Sequence, residues 1–258
     1  MLVTRPFATR QLPFFLTAPT ACPYLEGRME RKIFTRVDGE QTAHLNNILT
    51  HAGFRRSQSI LYRPACEMCS ACKSARIPVS EFKPSRTQRR VLKRNAGLLR
   101  LPRPAEAMPE QFALLSRYLN ARHGDGDMAG MDFFDFASMI EDGAEHTELV
   151  EYRDAHGQLI ACVLVDRLID GFSLVYSFFA PDRDKDSLGA YIILDHIERA
   201  RAENLPFVYL GYWVQGSPKM DYKAHYKPLE VLEPEGWRTL QPPSHAQERS
   251  KADITDKN

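Results

Sequence analysis

At 258 residues, 43% hydrophobic and 26% charged, the chain has the composition of a soluble globular protein with room for one large or two modest cores. The net charge of +1 excludes a polyanion or polycation acting through its global field. No apolar run approaches the roughly 20 residues of a membrane span. The N-terminal "FFL" is too short and too proline-flanked for a secretory signal, so the sequence reads as cytosolic, with reduced thiols. Five cysteines there point to metal binding or plain burial rather than a disulfide framework.

In chain order, "AHLNNILTHAG" predicts a helix with Leu45, Ile48, Leu49 and Ala52 on one face and Gly53 at its stop. "QSILYRP" predicts a strand, and "ARIPVSEF" another before a turn at Pro84. Between them Cys66, Cys69 and Cys72 have C-x-x-C-x-x-C spacing, with Cys22 in "ACPYL" a fourth thiol if the fold brings it near. Thiolates so spaced suit zinc or an iron–sulfur cluster. Small residues buried in a tight loop are the equal alternative. Cys162, inside an apolar strand, reads as core.

Ser85 and Gln88 form a capping box that opens the next helix. Arg86, Arg89, Arg90, Lys93 and Arg94 then recur at i, i+3, i+4, i+7 and i+8, a single basic stripe opposite Val91 and Leu92. Between Arg55 and Arg100 there are twelve Lys or Arg residues against Glu67 and Glu81. Like charges on one face repel, and arginine at a helix start opposes the macrodipole. A nucleic-acid phosphate backbone is the natural partner that offsets both; a solvated face is the alternative.

"LPRPAEAMPE" predicts a connection, after which Pro109 opens a helix carrying Phe112, Leu115 and Leu119. "GDGDMAG" reads as a flexible interruption and "DFFDFASMIEDG" as a short helix. "TELVEY", "QLIACVLV" and "FSLVYSFF" predict three antiparallel strands joined by hairpin loops. A helix with Ala190, Ile193, Leu194, Ile197 and Ala200 aligned follows, then strands at "PFVYLGYWV" and "PLEVL". The tail from Gln241 is polar and expected to be disordered. Together these predict an α+β fold: a cysteine-containing, basic α/β region over 1–104, an antiparallel sheet with packed helices over 105–240, and a tail over 241–258.

"YSFFAPDRDKDSLGAYIILDHI" resembles the acyl-donor region of the GNAT acetyltransferases, where a glycine-rich loop binds a pyrophosphate. Here that loop has only Gly189, and Asp182, Asp184 and Asp186 crowd it. The resemblance implies a GNAT-like fold with a different donor. In "YLGYWVQGSPKMDYKAHYKPLE", Tyr209, Tyr212, Trp213, Tyr222 and Tyr226 interleave with Lys219, Lys223 and Lys227. That is the composition of a single-strand platform, in which aromatics stack bases and lysines meet phosphates; sheet packing is the alternative.

"CPYL", "YRPACEMCSACKSARIPV", "SRTQRRVLKRN", "VYSFF", "SLGAYIILD" and "YLGYWVQGSPKMDYK" together resemble the bacterial aspartate/glutamate leucyltransferases of the arginyl-tRNA–protein transferase superfamily, from about Phe14 to Leu232. The resemblance implies transfer of leucine from Leu-tRNA to proteins beginning with Asp or Glu, marking them for N-degron proteolysis, with no membrane and no cofactor required for the transfer. It also implies a GNAT-like aminoacyltransferase domain behind the cysteine region. Related eukaryotic arginyltransferases bind metal through that region, but Leu25 stands where they carry a second cysteine. An arginyltransferase with the same acceptors, or a non-catalytic metal-containing RNA-binding protein, are the competing readings. An acid in the donor pocket would favour arginine, an apolar lining leucine.

For such a transfer Asp166 is the candidate base, with a turn residue the alternative. Tyr176 and Ser187 are candidate oxyanion donors, with a packed tyrosine and a helix cap the alternatives. Arg63 or Arg76 is expected to pair with the acceptor's acidic side chain, and Lys219 and Lys223 either compete for it or hold the tRNA 3′ end.

Overall fold

Alternation along the central strand sets the layers. In β10 (Leu159–Leu168) Ala161, Val163 and Val165 face one core while Cys162 and Leu164 face another. A strand buried on both faces has to be covered twice. Helices α2 (Arg86–Arg94) and α5 (Leu188–Ala202) cover the first side, and α3 (Pro109–Arg122) and α4 (Phe133–Glu141) the second. The computed structural model describes residues 12–37, 39, 41–122, 128, 130–143 and 146–241. The tail expectation beyond 241 and most of "GDGDMAG" lie outside them.

The main sheet has eight strands in the order β14 (Gly236–Thr239), β13 (Glu230–Glu233), β7 (Cys72–Pro78), β12 (Phe207–Val214), β11 (Gly171–Phe179), β10, β9 (Thr147–Arg153), β8 (Leu99–Pro104). The boundary expected after residue 104 does not divide this sheet. β7 pairs with β12 and β8 with β9, so residues 72–104 belong to it. The expected connection "LPRP" is itself the edge strand β8, a place where prolines are tolerated because one side lacks a hydrogen-bonding neighbour.

One junction matters most for the site. Among the pairs of this sheet, only β11 and β12 run parallel, joined through α5, and they stay in register over three positions, Gly171–Ser173 with Phe207–Tyr209. At Gly171 a Cβ would lie 2.1 Å from the Phe207 carbonyl oxygen, so only glycine permits that approach. Beyond Ser173 the two strands part. Irregularities on both sides enlarge the gap: the β10–β11 register skips Val175, and the β12–β7 register shifts between Tyr209 and Gly211.

A smaller layer covers the gap. Its sheet runs β1 (Phe15–Leu16), β4 (Lys32–Arg36), β6 (Ile60–Pro64), β5 (Arg55–Ser57), with α1 (Thr42–His51) and a ribbon of β2 (Thr20–Ala21) and β3 (Met29–Glu30). The face of α1 differs from the periodic expectation: Ile48 is half exposed while Asn46 and Thr50 are buried. The reason is polar, because Asn46 donates to the Asp166 carboxylate at 3.0 Å and Thr50 donates to Asn46.

Candidate active site

The parting of β11 and β12 opens a cleft of about 1340 Å³. Ser173–Ser177 form one wall and Leu210–Tyr212 the other. The start of α5 (Ser187, Gly189, Ala190) and residues 219–226 close the ends, and Tyr24, Arg55 and Tyr62 reach in from the smaller layer. That layer is fastened across the cleft by the Tyr212 hydroxyl, which donates to the carbonyls of Gly53 at 2.9 Å and Tyr62 at 3.0 Å.

Charge in the lining is one-sided. Arg55, Arg56, Arg122, Lys219 and Lys223 line it, and among the described residues no Asp or Glu does. Arg56 and Arg122 are paired with Asp166 and Asp184. No carboxylate pairs with Arg55, Lys219 or Lys223 among the described residues. Burial, together with the Arg55 charge, pushes Lys223 down to about 7, and its Nζ donates to the Tyr212 carbonyl at 2.6 Å. Around these cations the lining is apolar and aromatic, with Val91, Tyr118, Val175, Phe179, Ile193 and Met220.

The residues singled out from the sequence are sorted by this geometry. Tyr176 and Ser187 both line the cleft. Burial pushes the Tyr176 phenol up to about 12, which keeps it a neutral donor. Ser187 sits in the left-handed region at φ 54° without making a side-chain cap, so its hydroxyl is not used by α5. Asp166 does not line the cleft. Arg56 holds both its oxygens at 2.7 Å, and Asn46 and Thr147 donate to them as well. It is spent on the joint between the layers and has no lone pair aimed at a substrate.

Neither arginine expected to read the acceptor enters the cleft lining. Arg63 is exposed against the Phe54 ring. Arg76 is 7% exposed, bonded to Glu230 at 2.7 Å and held between the rings of Phe207 and Trp237. Its charge is already answered. Trp213 also departs from expectation, because strand alternation turns it into the core beneath α5, where no base can stack on it. Lys223 is buried rather than a phosphate contact at the surface, whereas Lys219 and Tyr222 are exposed at the cleft.

The basic helix borders the cleft. Ser85, Thr87, Gln88 and Val91 of α2 line it, and the Gln88 amide donates to the His225 carbonyl at 3.2 Å. Arg86, Arg89, Arg90, Lys93 and Arg94 are exposed on the helix's outer side, and Arg94 reaches the Lys185 carbonyl in the loop before α5. That loop's Asp182, Asp184 and Asp186 are each paired with an arginine, respectively Arg117, Arg122 and Arg183.

The cysteines come together without forming a metal site. Burial pushes the Cys72 thiol up to about 12, and neighbouring Cys22, Cys66 and Cys69 add to it. The Arg28 guanidinium donates to the Cys69 sulfur at 3.2 Å. Among the described residues no three His, Cys, Asp or Glu side chains are grouped to hold a metal ion.

Arg55 carried no sequence signal beyond its place in "FRRSQ". As neighbours on β5, Arg55 and Arg56 leave the strand on opposite faces; both border the cleft, but Arg56 spends its charge on Asp166 and, of the two, Arg55 alone brings an unpaired one.

A sheet parted around a crossover helix, with helices on both faces, defines a GNAT-like α+β acyltransferase fold, here with a cationic cleft. The family models described as arginine-tRNA-protein transferase, N terminus and C terminus, match residues 20–90 and 110–233. The chain is 56% identical over 236 residues to the aspartate/glutamate leucyltransferase of Maricaulis maris, covering 92% of this chain and 93% of that one. The enzyme of the same name from Caulobacter vibrioides is 56% identical (92% and 87% covered), and that from Parvibaculum lavamentivorans 55% (89% and 95%). Among solved structures, L-PGS from Bacillus licheniformis is similar at a TM-score of 0.42 and 10% identity, covering 69% of this chain and 51% of that one. The chain belongs to the arginine-tRNA-protein transferase family. Among the described residues no helix is long and apolar enough to cross a membrane.

Proposed function

We propose that this chain is an aminoacyltransferase that moves leucine from Leu-tRNA to the N-terminal amine of proteins beginning with Asp or Glu, marking them for N-degron proteolysis. The observation that carries this reading is the charge of the cleft: cations and apolar surface, with no carboxylate in the lining among the described residues. Two of the three groups that must meet there are anions, the RNA 3′ end and the acidic acceptor. The third, a leucine side chain, is neutral and apolar. An arginine donor would bring a guanidinium beside Arg55 and Lys223 with no counter-charge, a repulsion amplified by burial. Leucine therefore fits the cleft and arginine does not. The relatives named aspartate/glutamate leucyltransferase support the same assignment.

The chemistry is aminolysis of an activated ester. The acceptor's neutral amine attacks the leucyl carbonyl carbon; the C–N bond forms, the bond to the ribose oxygen breaks, and the amine's proton ends on that oxygen. An N-terminal amine with a pKa near 8 needs only mild help. Lys223, whose ammonium form burial disfavours, takes the place of Asp166 as the base. Tyr176 and the bulged Val175 both line the cleft, and we assign the Tyr176 phenol as the oxyanion donor. The outer face of α2, with Lys219 and Tyr222, receives the acceptor stem and 3′ end. Incubating the purified protein with labelled Leu-tRNA or Arg-tRNA and peptides starting with Asp or Glu tests the reading. Leucine is expected on both peptides; arginine transfer at equal rate would refute the donor assignment.

A further inference from the structure

Arg55 is delivered to the cleft by the smaller layer, not by the catalytic sheet. The residue is 7% exposed, and its guanidinium bridges the floor of the gap. Nη2 donates to the Leu174 carbonyl at 3.1 Å on the β11 wall. On the β12 wall, Gly211 leaves the space: a Cβ there would sit 3.1 Å from Nη2. Nη1 is buried and meets no acceptor.

A guanidinium stays charged at any working pH. Burying one without a counter-ion is strongly unfavourable. The adjacent residue shows what the fold does when it means to neutralise an arginine from within, since Arg56 is gripped by Asp166 in two short bonds. Arg55 lacks such a partner, and the residue lines the cleft where transfer takes place.

The acceptor supplies a matching anion. In an N-terminal Asp the carboxyl carbon is three bonds from the amine nitrogen, and in Glu four. Once the amine reaches the ester, the carboxylate is within about 5 Å of it by ordinary bond lengths. The cation that reads it must therefore lie inside the cleft, which Arg63 and Arg76 do not. Lys219, exposed at the rim, is placed for phosphate, whereas a short side chain can reach the floor. Lys223 is already committed to the Tyr212 carbonyl.

We propose that Arg55 is the specificity-determining residue for the acceptor, its guanidinium taking the side-chain carboxylate of an N-terminal Asp or Glu. This assignment rests on the function proposed above. Asn and Gln have the same shape but leave the guanidinium unneutralised, so the site discriminates by charge. Because Asp and Glu differ by one methylene, a planar fork on a flexible stem accommodates both.

The test is leucine transfer from Leu-tRNA to four peptides that differ only in the first residue, Asp, Glu, Asn or Gln, by wild type, Arg55→Met and Arg55→Lys. Arg55→Met is expected to collapse the acid-to-amide ratio of kcat/KM by about 10²-fold, mostly through KM for the acid peptides. Arg55→Lys, which keeps the charge but loses the fork, falls between. Circular dichroism identifies variants that fold, and if methionine does not, the lysine variant decides on the same ratio. A folded variant with the wild-type ratio, or one that loses all four acceptors equally, overturns the assignment while leaving the functional reading intact. A wild-type protein that moves no leucine to any peptide overturns both.

Discussion

Arg56 and Asp166, 110 residues apart in the chain, meet as a two-pronged ion pair with Nε–Oδ2 and Nη2–Oδ1 both at 2.7 Å and each side chain almost fully buried. Asn46 and Thr147 complete the shell around the carboxylate. The pair fastens the smaller layer to the hairpin strand β10, and so fixes where β5 lies over the cleft. A carboxylate used this way does not double as a proton acceptor.

Asp166→Asn accordingly leaves the Arg56 charge buried without its counter-ion, and should cost about 3–5 kcal/mol in denaturant unfolding. Transfer by the molecules that remain folded should keep its wild-type pH profile. Loss of the alkaline-rising limb in this variant would restore Asp166 as the base.

Lys223→Met separates activity from stability. Removing the base should lower kcat by about 10²-fold and leave only the rise of activity near pH 8 that belongs to the acceptor amine. Stability should move the other way. The folded protein holds Lys223 near 7 against an ordinary 10.5. Below pH 7 the lysine is charged in both states and its burial penalty is full. Between 7 and 10.5 the unfolded chain keeps a proton that the folded one has released, so the penalty fades as pH rises. The methionine variant should thus gain up to a few kcal/mol at pH 6–7 and almost nothing near pH 10.5. Thermal melts at both pH values check this.

Gly211→Ala tests the floor of the cleft from the opposite wall. Its φ of +81° disfavours any side chain, and the added methyl group presses on Arg55 Nη2. A loss of about 1–2 kcal/mol is expected from the backbone alone. A smaller acid-to-amide preference should accompany it, read from the same four peptides. An unchanged preference would mean that the guanidinium does not depend on this wall.

Reversing charge at Arg89, Arg90 and Lys93 to Glu should raise KM for Leu-tRNA at least tenfold and flatten its dependence on salt by roughly one unit of slope per lost phosphate contact. The helix should stay folded, because all three side chains are exposed and its Ser85–Gln88 cap is formed. An unchanged KM would make the stripe a solvated face.

How far the sequence reached depends on the range of the interactions. The capping box at Ser85, the hairpins of β9–β11 and the helix α5 are local patterns, and each is present. That β7 joins the main sheet was not legible, because it finds β12 about 130 or more positions away and nothing in "CKSARIP" names that partner. The same limit governs the arginines. Arg55, Arg56, Arg63 and Arg76 all sit on strands with similar neighbours, and only sheet register decides which meets the cleft, which a carboxylate and which an aromatic sandwich. Strand parity likewise hid Trp213, which looked like part of a stacking surface and is core. The cysteines show a different limit, since their spacing says that the thiols can gather but not that the Arg28 guanidinium donates to the Cys69 sulfur.

Arg55 and Arg56 occupy consecutive positions on a three-residue strand, so mechanical attachment and chemical discernment are delivered by opposite faces of one short ribbon. Sliding β5 by a single residue would exchange the two tasks, sending the anchor into the cavity and the reader into the joint. Length changes in the tight turn between β5 and β6 are thereby ruled out, even though that turn touches neither tRNA nor acceptor.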